Sequence, residues 1–155
     1  MLVTDSPYQF QRLFFGELTI TQLHDIFQLR AAVFVVEQQC DYQDIDGWDK
    51  KAQHLLVYDQ QILIAYARLF EKGAQNEKYA IIGRVVVRQT HRSKGLGHLL
   101  MQQAVASLSE KGEAPAIKIS AQSHLKAFYE THGFVATGNE YLEDGIPHSE
   151  MLIIR

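Results

Sequence analysis

The sequence is 155 residues long, 46% hydrophobic and 21% charged, with a formal net charge of −3. That length and composition fit one domain, residues 1–155, with a substantial core, and exclude a disordered chain. No broad basic field is present for nucleic acid, no apolar run approaches the roughly 20 residues of a bilayer helix, and Met1 to Phe10 lack the basic start and apolar run of a secretory signal. Cys40 is the single cysteine, so a reducing cytoplasm is the expected compartment.

In chain order, Gln9 to Leu18 contains a first strand, and Thr21 offers a helix cap ahead of Leu23, Ile26, Phe27, Arg30, Val33 and Phe34, an apolar stripe at helical spacing. Val35 to Lys51 reads as an acidic, irregular loop with room for a short helix. His54 to Tyr58 and Ile62 to Phe70 read as an antiparallel hairpin. A loop follows, and then a strand over Tyr79 to Val87, whose run Val85, Val86, Val87 predicts burial on both faces at the sheet centre. Leu96, Leu99, Leu100, Gln103, Ala104 and Leu108 lie at helical spacing, with Gly112 and Pro115 ending the helix. A strand over Ala116 to Ala121 precedes a helix capped by Ser123, carrying Leu125, Phe128 and Tyr129 and closed by Gly133 in a left-handed conformation. Phe134 to Tyr141 and His148 to Ile154 complete an α/β (α+β) order of β, α, loop, β, β, β, α, β, α, β, β.

The segment Arg92-Ser93-Lys94-Gly95-Leu96-Gly97 carries the most chemistry, because it stands between a buried strand and an amphipathic helix. There the free N–H groups and positive dipole end of the helix converge on one point, glycines let a ligand approach the backbone, and Arg92 and Lys94 supply cations. An anionic phosphate fits. The P-loop pattern fails on its glycine spacing, and a dinucleotide fingerprint would need a small residue where Leu100 stands.

The arginine, two residues, glycine, one residue, glycine pattern resembles the phosphate-binding motif of the GNAT superfamily of N-acetyltransferases. Ser123 to Phe134, with Tyr129 before Gly133-Phe134, is similar to a later helix of that family, and the element order is similar over nearly the whole chain. Phe34 to Gln38, Tyr42 to Asp46 and Glu143 to His148 resemble its ElaA branch. The resemblance implies a mixed, mostly antiparallel sheet splayed at its middle, with about four helices. It implies acetyl-CoA as co-substrate, with the pantetheine arm along Val85, Val86 and Val87 beside a bulge in that strand. Ser93 to His98 would hold the pyrophosphate, and Gln122 stands where many relatives have a cofactor-contacting asparagine.

By the same resemblance Tyr129 is the general acid that protonates the departing thiolate. The chemistry is sound, since a phenol near pKa 10 can donate to a thiolate whose conjugate acid lies near about 8.5. The stretch Ala116 to Ser120 lacks the glutamate many relatives use as base, which leaves Glu37 and His148 as candidates for base and acceptor contact. Glu37, Asp41, Asp44, Asp46 and Asp49 either form a rim that attracts a cationic amine or are a solvated loop that caps a helix. Asp44 to Gly47 fails as a calcium loop because glycine comes too early, and no two histidines, nor a histidine and Cys40, stand at zinc spacing, so no metal is expected. The expected activity is direct acetyl transfer to a primary amine of a small molecule or peptide, with neither nucleic acid nor membrane as partner and a homodimer left open. The alternatives are a CoA-binding or protein-interaction module without turnover, and transfer of a longer acyl group or to a hydroxyl.

Overall fold

The computed structural model describes residues 6–109 and 115–154; the helix end expected at Gly112 and the first five residues of the Met1 to Phe10 segment lie outside them. Strand β1, Gln9–Phe14, leads to helix α1, Ile20–Arg30. Thr19, and not the expected Thr21, caps α1: its hydroxyl accepts from the Gln22 backbone N–H at 3.0 Å, and its own N–H donates to Gln22 Oε1 at 2.9 Å. Such reciprocal capping needs a glutamine or glutamate three residues on, which Thr19 has in Gln22; His24 follows Thr21. Replacing the cap by alanine typically costs about 1 kcal/mol.

The expected loop at Val35 starts later, because α1 continues as a π turn over Ala31–Glu37. Gln38 N–H reaches Val33 O at 3.1 Å and Cys40 N–H reaches Val35 O at 3.0 Å, both five residues back. A 3₁₀ turn, Gly47–Lys51, follows, capped by Asp46 Oδ1 accepting from Trp48 N–H at 3.1 Å. Strands β2, Gln53–Asp59, and β3, Ile62–Phe70, form the expected hairpin.

After β4, Ala80–Val87, come helix α2, Leu96–Ser107, strand β5, Ile117–Gln122, helix α3, Lys126–Glu130, and strands β6, Val135–Glu143, and β7, Ile146–Ile153. The element order is the expected one, with three α-helices among the described residues where about four were anticipated. Ser123 does not cap α3; a 3₁₀ turn intervenes and its hydroxyl lies 3.0 Å from that of Ser149 on β7. Gly133 does end the helix at φ 90°.

Among the described residues the sheet has seven strands in the order β1-β2-β3-β4-β5-β7-β6, antiparallel except where β4 meets β5. One face packs α2 and α3 over Ile64, Ala67, Ile82 and Ile119, and the other packs α1 over Leu56, Leu63 and Tyr66. Each buried aliphatic side chain contributes on the order of 2 kcal/mol of transfer free energy.

Two features of β4 open the sheet. Its pairing with β5 is confined to Ala80 with Ile117 and Ile81 with Lys118, after which the strands diverge. Against β3, Arg68 pairs with Gly83 but Tyr66 pairs with Val86, so β4 carries one extra residue, the bulge implied by resemblance. Arg84 sits in it at φ 50°. Val85 to Val87 are not buried on both faces as expected. Val86 is buried, whereas Val85 and Val87 are half-buried because they border the gap.

Candidate active site

The gap between β4 and β5 is a cavity of about 800 Å³. Val85, Val86 and Val87 line one wall, Ile119, Ser120 and Gln122 the other, and Arg92, Ser93, Gly95, Leu96, Gly97 and His98 close one end. Lys94, expected among the phosphate-binding cations, does not line it. In the loop before α2, Ser93 takes φ 64° and Gly95, the N-cap of α2, takes φ 77°. The helix starts at this left-handed glycine, so its first N–H groups have no intrahelical acceptor and face the cavity end. A Cβ on Gly95 would meet nothing within 4 Å, while one on Gly97 would stand 3.4 Å from Phe128 Cζ. The surface is thus open for an anionic ligand at Gly95, and α2 and α3 pack closely at Gly97.

Tyr129, carried on α3, lines the same cavity and is 7% exposed. Burial pushes its phenol up to about 12, so it keeps its proton throughout the ordinary pH range. Its ring lies edge-on to Phe128 at 5.1 Å and to Phe134 at 6.1 Å, contacts that hold the ring in place. Tyr129 therefore both packs against Phe128 and Phe134 and belongs to the cavity wall.

Arg92 and Glu37 both line this cavity and pair with each other. Arg92 Nη1 donates to Glu37 Oε2 at 2.6 Å and Nη2 to Oε1 at 3.0 Å, while Nε donates to Val87 O at 3.0 Å. Both oxygens of Glu37 are thereby taken by a guanidinium, an arrangement that ill suits a proton acceptor. His148, the other base candidate, is 7% exposed and lines the cavity. Its Nδ1–H donates to Ile146 O at 2.7 Å, and its Nε2 lies 3.3 Å from Glu143 Oε2. Gln122 reaches the cavity and donates to Gln38 Oε1 at 3.3 Å.

Asp44, Asp46 and Asp49 turn inward, contrary to the rim reading, while Asp41 stays exposed. Asp44 accepts from Arg30 Nε at 2.9 Å, from Arg84 Nε at 2.8 Å and from the Tyr42 hydroxyl at 2.7 Å. Asp46 pairs with Arg68 at 2.7 Å and Arg84 at 3.4 Å, and neither Asp44 nor Asp46 lines the cavity. Asp49 joins Arg30 at 2.7 Å and Arg68 at 3.0 Å. Burial alone would raise the Asp49 carboxyl, but the hydrogen bonds and charges of Arg30 and Arg68 outweigh it and hold it low. The cap-forming alternative does describe Asp46, which starts the 3₁₀ turn. Cancelled by arginines, these carboxylates present no free negative field to an incoming cation.

Arg84 escaped sequence reasoning, as did the contacts that Cys40 and His98 make. Arg84 is the left-handed bulge residue, a conformation that costs a non-glycine residue about 1–2 kcal/mol, offset by its bonds to Asp44 and Asp46. The signal was present as Gly83-Arg84 interrupting an apolar strand. Cys40, also in the wall, donates its thiol to Asp144 O at 3.5 Å, and burial followed by the charges of Asp144 and Asp41 pushes that thiol up, away from a thiolate nucleophile. His98 and His132, far apart in sequence, bring Nδ1 and Nε2 within 2.9 Å. Spacing rules cannot detect such a pair.

Residues 22–154 match the family model described as the acetyltransferase (GNAT) domain. Protein ElaA of Escherichia coli strain K12 is 39% identical over 145 residues, covering 92% of this chain and 94% of that protein. Among solved structures, an acyl-CoA N-acyltransferase from Pseudomonas aeruginosa superposes with a TM-score of 0.88 at 39% identity, covering 94% of this chain and 99% of that one. The crystal structure of Escherichia coli ElaA gives 0.87 at 37% identity, with 94% and 98% covered.

Proposed function

The chain belongs to the GNAT acetyltransferase family, in its ElaA-like branch, and from that premise we propose that it transfers an acetyl group from acetyl-CoA to a primary amine of a small molecule or peptide by direct attack. One observation carries the reading: β4 and β5 part beside a bulge, and the gap holds a buried tyrosine at one wall and a glycine-bearing helix start at its end. An extended, flexible thioester arm with an anionic tail has that shape and polarity.

In this reading the loop from Arg92 to His98 receives the pyrophosphate, and the backbone of Val85 to Val87 pairs with the pantetheine arm like an added strand. Gln122 borders that arm. A β4 backbone N–H near Val87 polarises the thioester carbonyl, and Tyr129 gives its proton to the departing sulfur. Holding both reactants in one closed gap supplies much of the rate. His148 is preferred to Glu37 as the group that takes the acceptor's proton, since both Glu37 oxygens are held by Arg92 while His148 Nε2 faces only the exposed carboxylate of Glu143 at 3.3 Å. Asp44 and Asp46 brace the acceptor side of the cavity through Arg84 and do not bind substrate themselves.

No helix among the described residues is long and apolar enough to cross a membrane, and a cytoplasmic site of action accompanies the reading. The test is thiol release from acetyl-CoA against a panel of amines. CoA binding without turnover on any amine would favour a binding module on the same fold, and turnover with longer thioesters in preference to acetyl would redefine the donor.

A further inference from the structure

Glu37 and Arg92 come from segments 55 residues apart, one ending the π turn and the other opening the phosphate loop, and their side chains are 36% and 37% exposed. The contact is bidentate and short, and the third guanidinium nitrogen caps the carbonyl of Val87. An arginine fork accepts a carboxylate or a phosphate with the same geometry. The cation assigned to the donor's pyrophosphate is therefore already occupied by an internal anion. The carbonyl of Val87 is likewise taken, by Arg92 Nε.

We infer that Glu37 is an internal stand-in for the donor's pyrophosphate: it holds Arg92 while the donor is absent, gives way when the phosphates arrive, and is then released within the cleft to receive the ammonium group of the acceptor. The inference rests on the donor reading above. Each state keeps the Arg92 guanidinium paired with an anion. The pyrophosphate brings more negative charge than a carboxylate and also gains the N–H groups of α2, so the exchange runs toward the donor. Glu37 is then an unpaired carboxylate in the cavity wall, and a cation is its natural partner. Because the two events share one carboxylate, donor and acceptor binding strengthen each other reciprocally. Glu37 thus acts as a positioning residue that couples the two substrates.

The experiment measures binding of CoA itself to the full-length protein by calorimetry. Removing the internal competitor with Glu37→Gln should tighten CoA binding about two- to fivefold, the range expected for freeing one partly exposed ion pair. Arg92→Gln should weaken binding, and in the double variant the gain from Glu37→Gln should vanish. CoA binding that is unchanged or weakened by Glu37→Gln overturns the inference, whereas no CoA binding by the wild type overturns the donor reading instead. A crystal structure with CoA gives a second reading that does not depend on the variants. Glu37 and Arg92 parted beyond about 4 Å support the exchange, and an intact pair beside bound pyrophosphate refutes it.

Discussion

A Cβ placed on Gly97 would lie 3.4 Å from Phe128 Cζ, whereas one placed on Gly95 would meet nothing within 4 Å, yet Gly95 is the one with φ of 77°. Space and conformation thus make opposite demands on the two glycines of the phosphate loop. Gly97→Ala gains helix propensity of up to about 1 kcal/mol against a contact the Phe128 ring must relax, so its melting temperature should shift by no more than about 3 °C. Gly95→Ala should cost about 1–2 kcal/mol for the left-handed backbone, lowering the melting temperature by several degrees. Equal melting temperatures for the two variants would show that the loop rearranges.

Asp49 accepts from two buried arginines, and no apolar neighbour can replace that arrangement locally. Asp49→Asn should leave Arg30 and Arg68 undercompensated and destabilise by about 3–5 kcal/mol, the usual consequence of removing one member of a buried pair. The exposed Asp41→Asn should stay within about 0.5 kcal/mol. Chemical denaturation of both variants makes the comparison. Similar losses would mean that the acidic loop acts by its net charge and not by this geometry.

The order of elements was legible because apolar periodicity changed at each boundary, as at Val87 before the glycine loop and Phe70 after the hairpin. The π turn was not, since Val35-Val36-Glu37 looks the same to a periodicity count whether helical or looped. The fate of the acidic loop was hidden for a different reason. Asp44, Asp46 and Asp49 find their partners on α1, β3 and β4, and no local pattern announces that Arg30, Arg68 and Arg84 will converge on them. Val85 and Val87 misled in the same manner: an apolar run signals exclusion from water by something, and here it borders a ligand-sized gap.

His54 bridges the same network, accepting from the Tyr66 hydroxyl at 2.6 Å and donating Nε2–H to Asp49 O at 2.9 Å. Burial lowers its pKa, so the unfolded chain binds a proton that the folded chain resists. A lowered folded pKa means that the stabilisation is complete above the unfolded value of about 6.5 and is lost as pH falls, at up to about 1.4 kcal/mol per pH unit. Asp49, also held low, adds a second loss of the same sign below about pH 4. Melting temperature should therefore decline from pH 7 toward 5, and His54→Gln, although less stable at pH 8, should show a shallower decline over that interval. A parallel decline in the variant would assign the acid sensitivity to other groups.

Tyr129 offers the sharpest separation of chemistry from binding. Its ring packs against Phe128 and Phe134, and phenylalanine preserves that packing, so Tyr129→Phe should fold normally and bind CoA within about twofold of the wild type. Loss of a general acid removes roughly 10²–10⁴ in rate, and kcat should fall by at least a hundredfold. The pH dependence adds a stricter requirement. With the phenol pushed up to about 12 by burial, Tyr129 remains a proton donor well beyond pH 9, and kcat for the wild type should show no alkaline decline attributable to it between pH 7 and about 10. His148→Gln should also lower kcat at unchanged CoA affinity, and the double variant should lose less than the product of the single losses if the two groups act in one concerted step. An unchanged kcat in Tyr129→Phe across that range would remove the phenol from the reaction and leave it as a packing residue of α3.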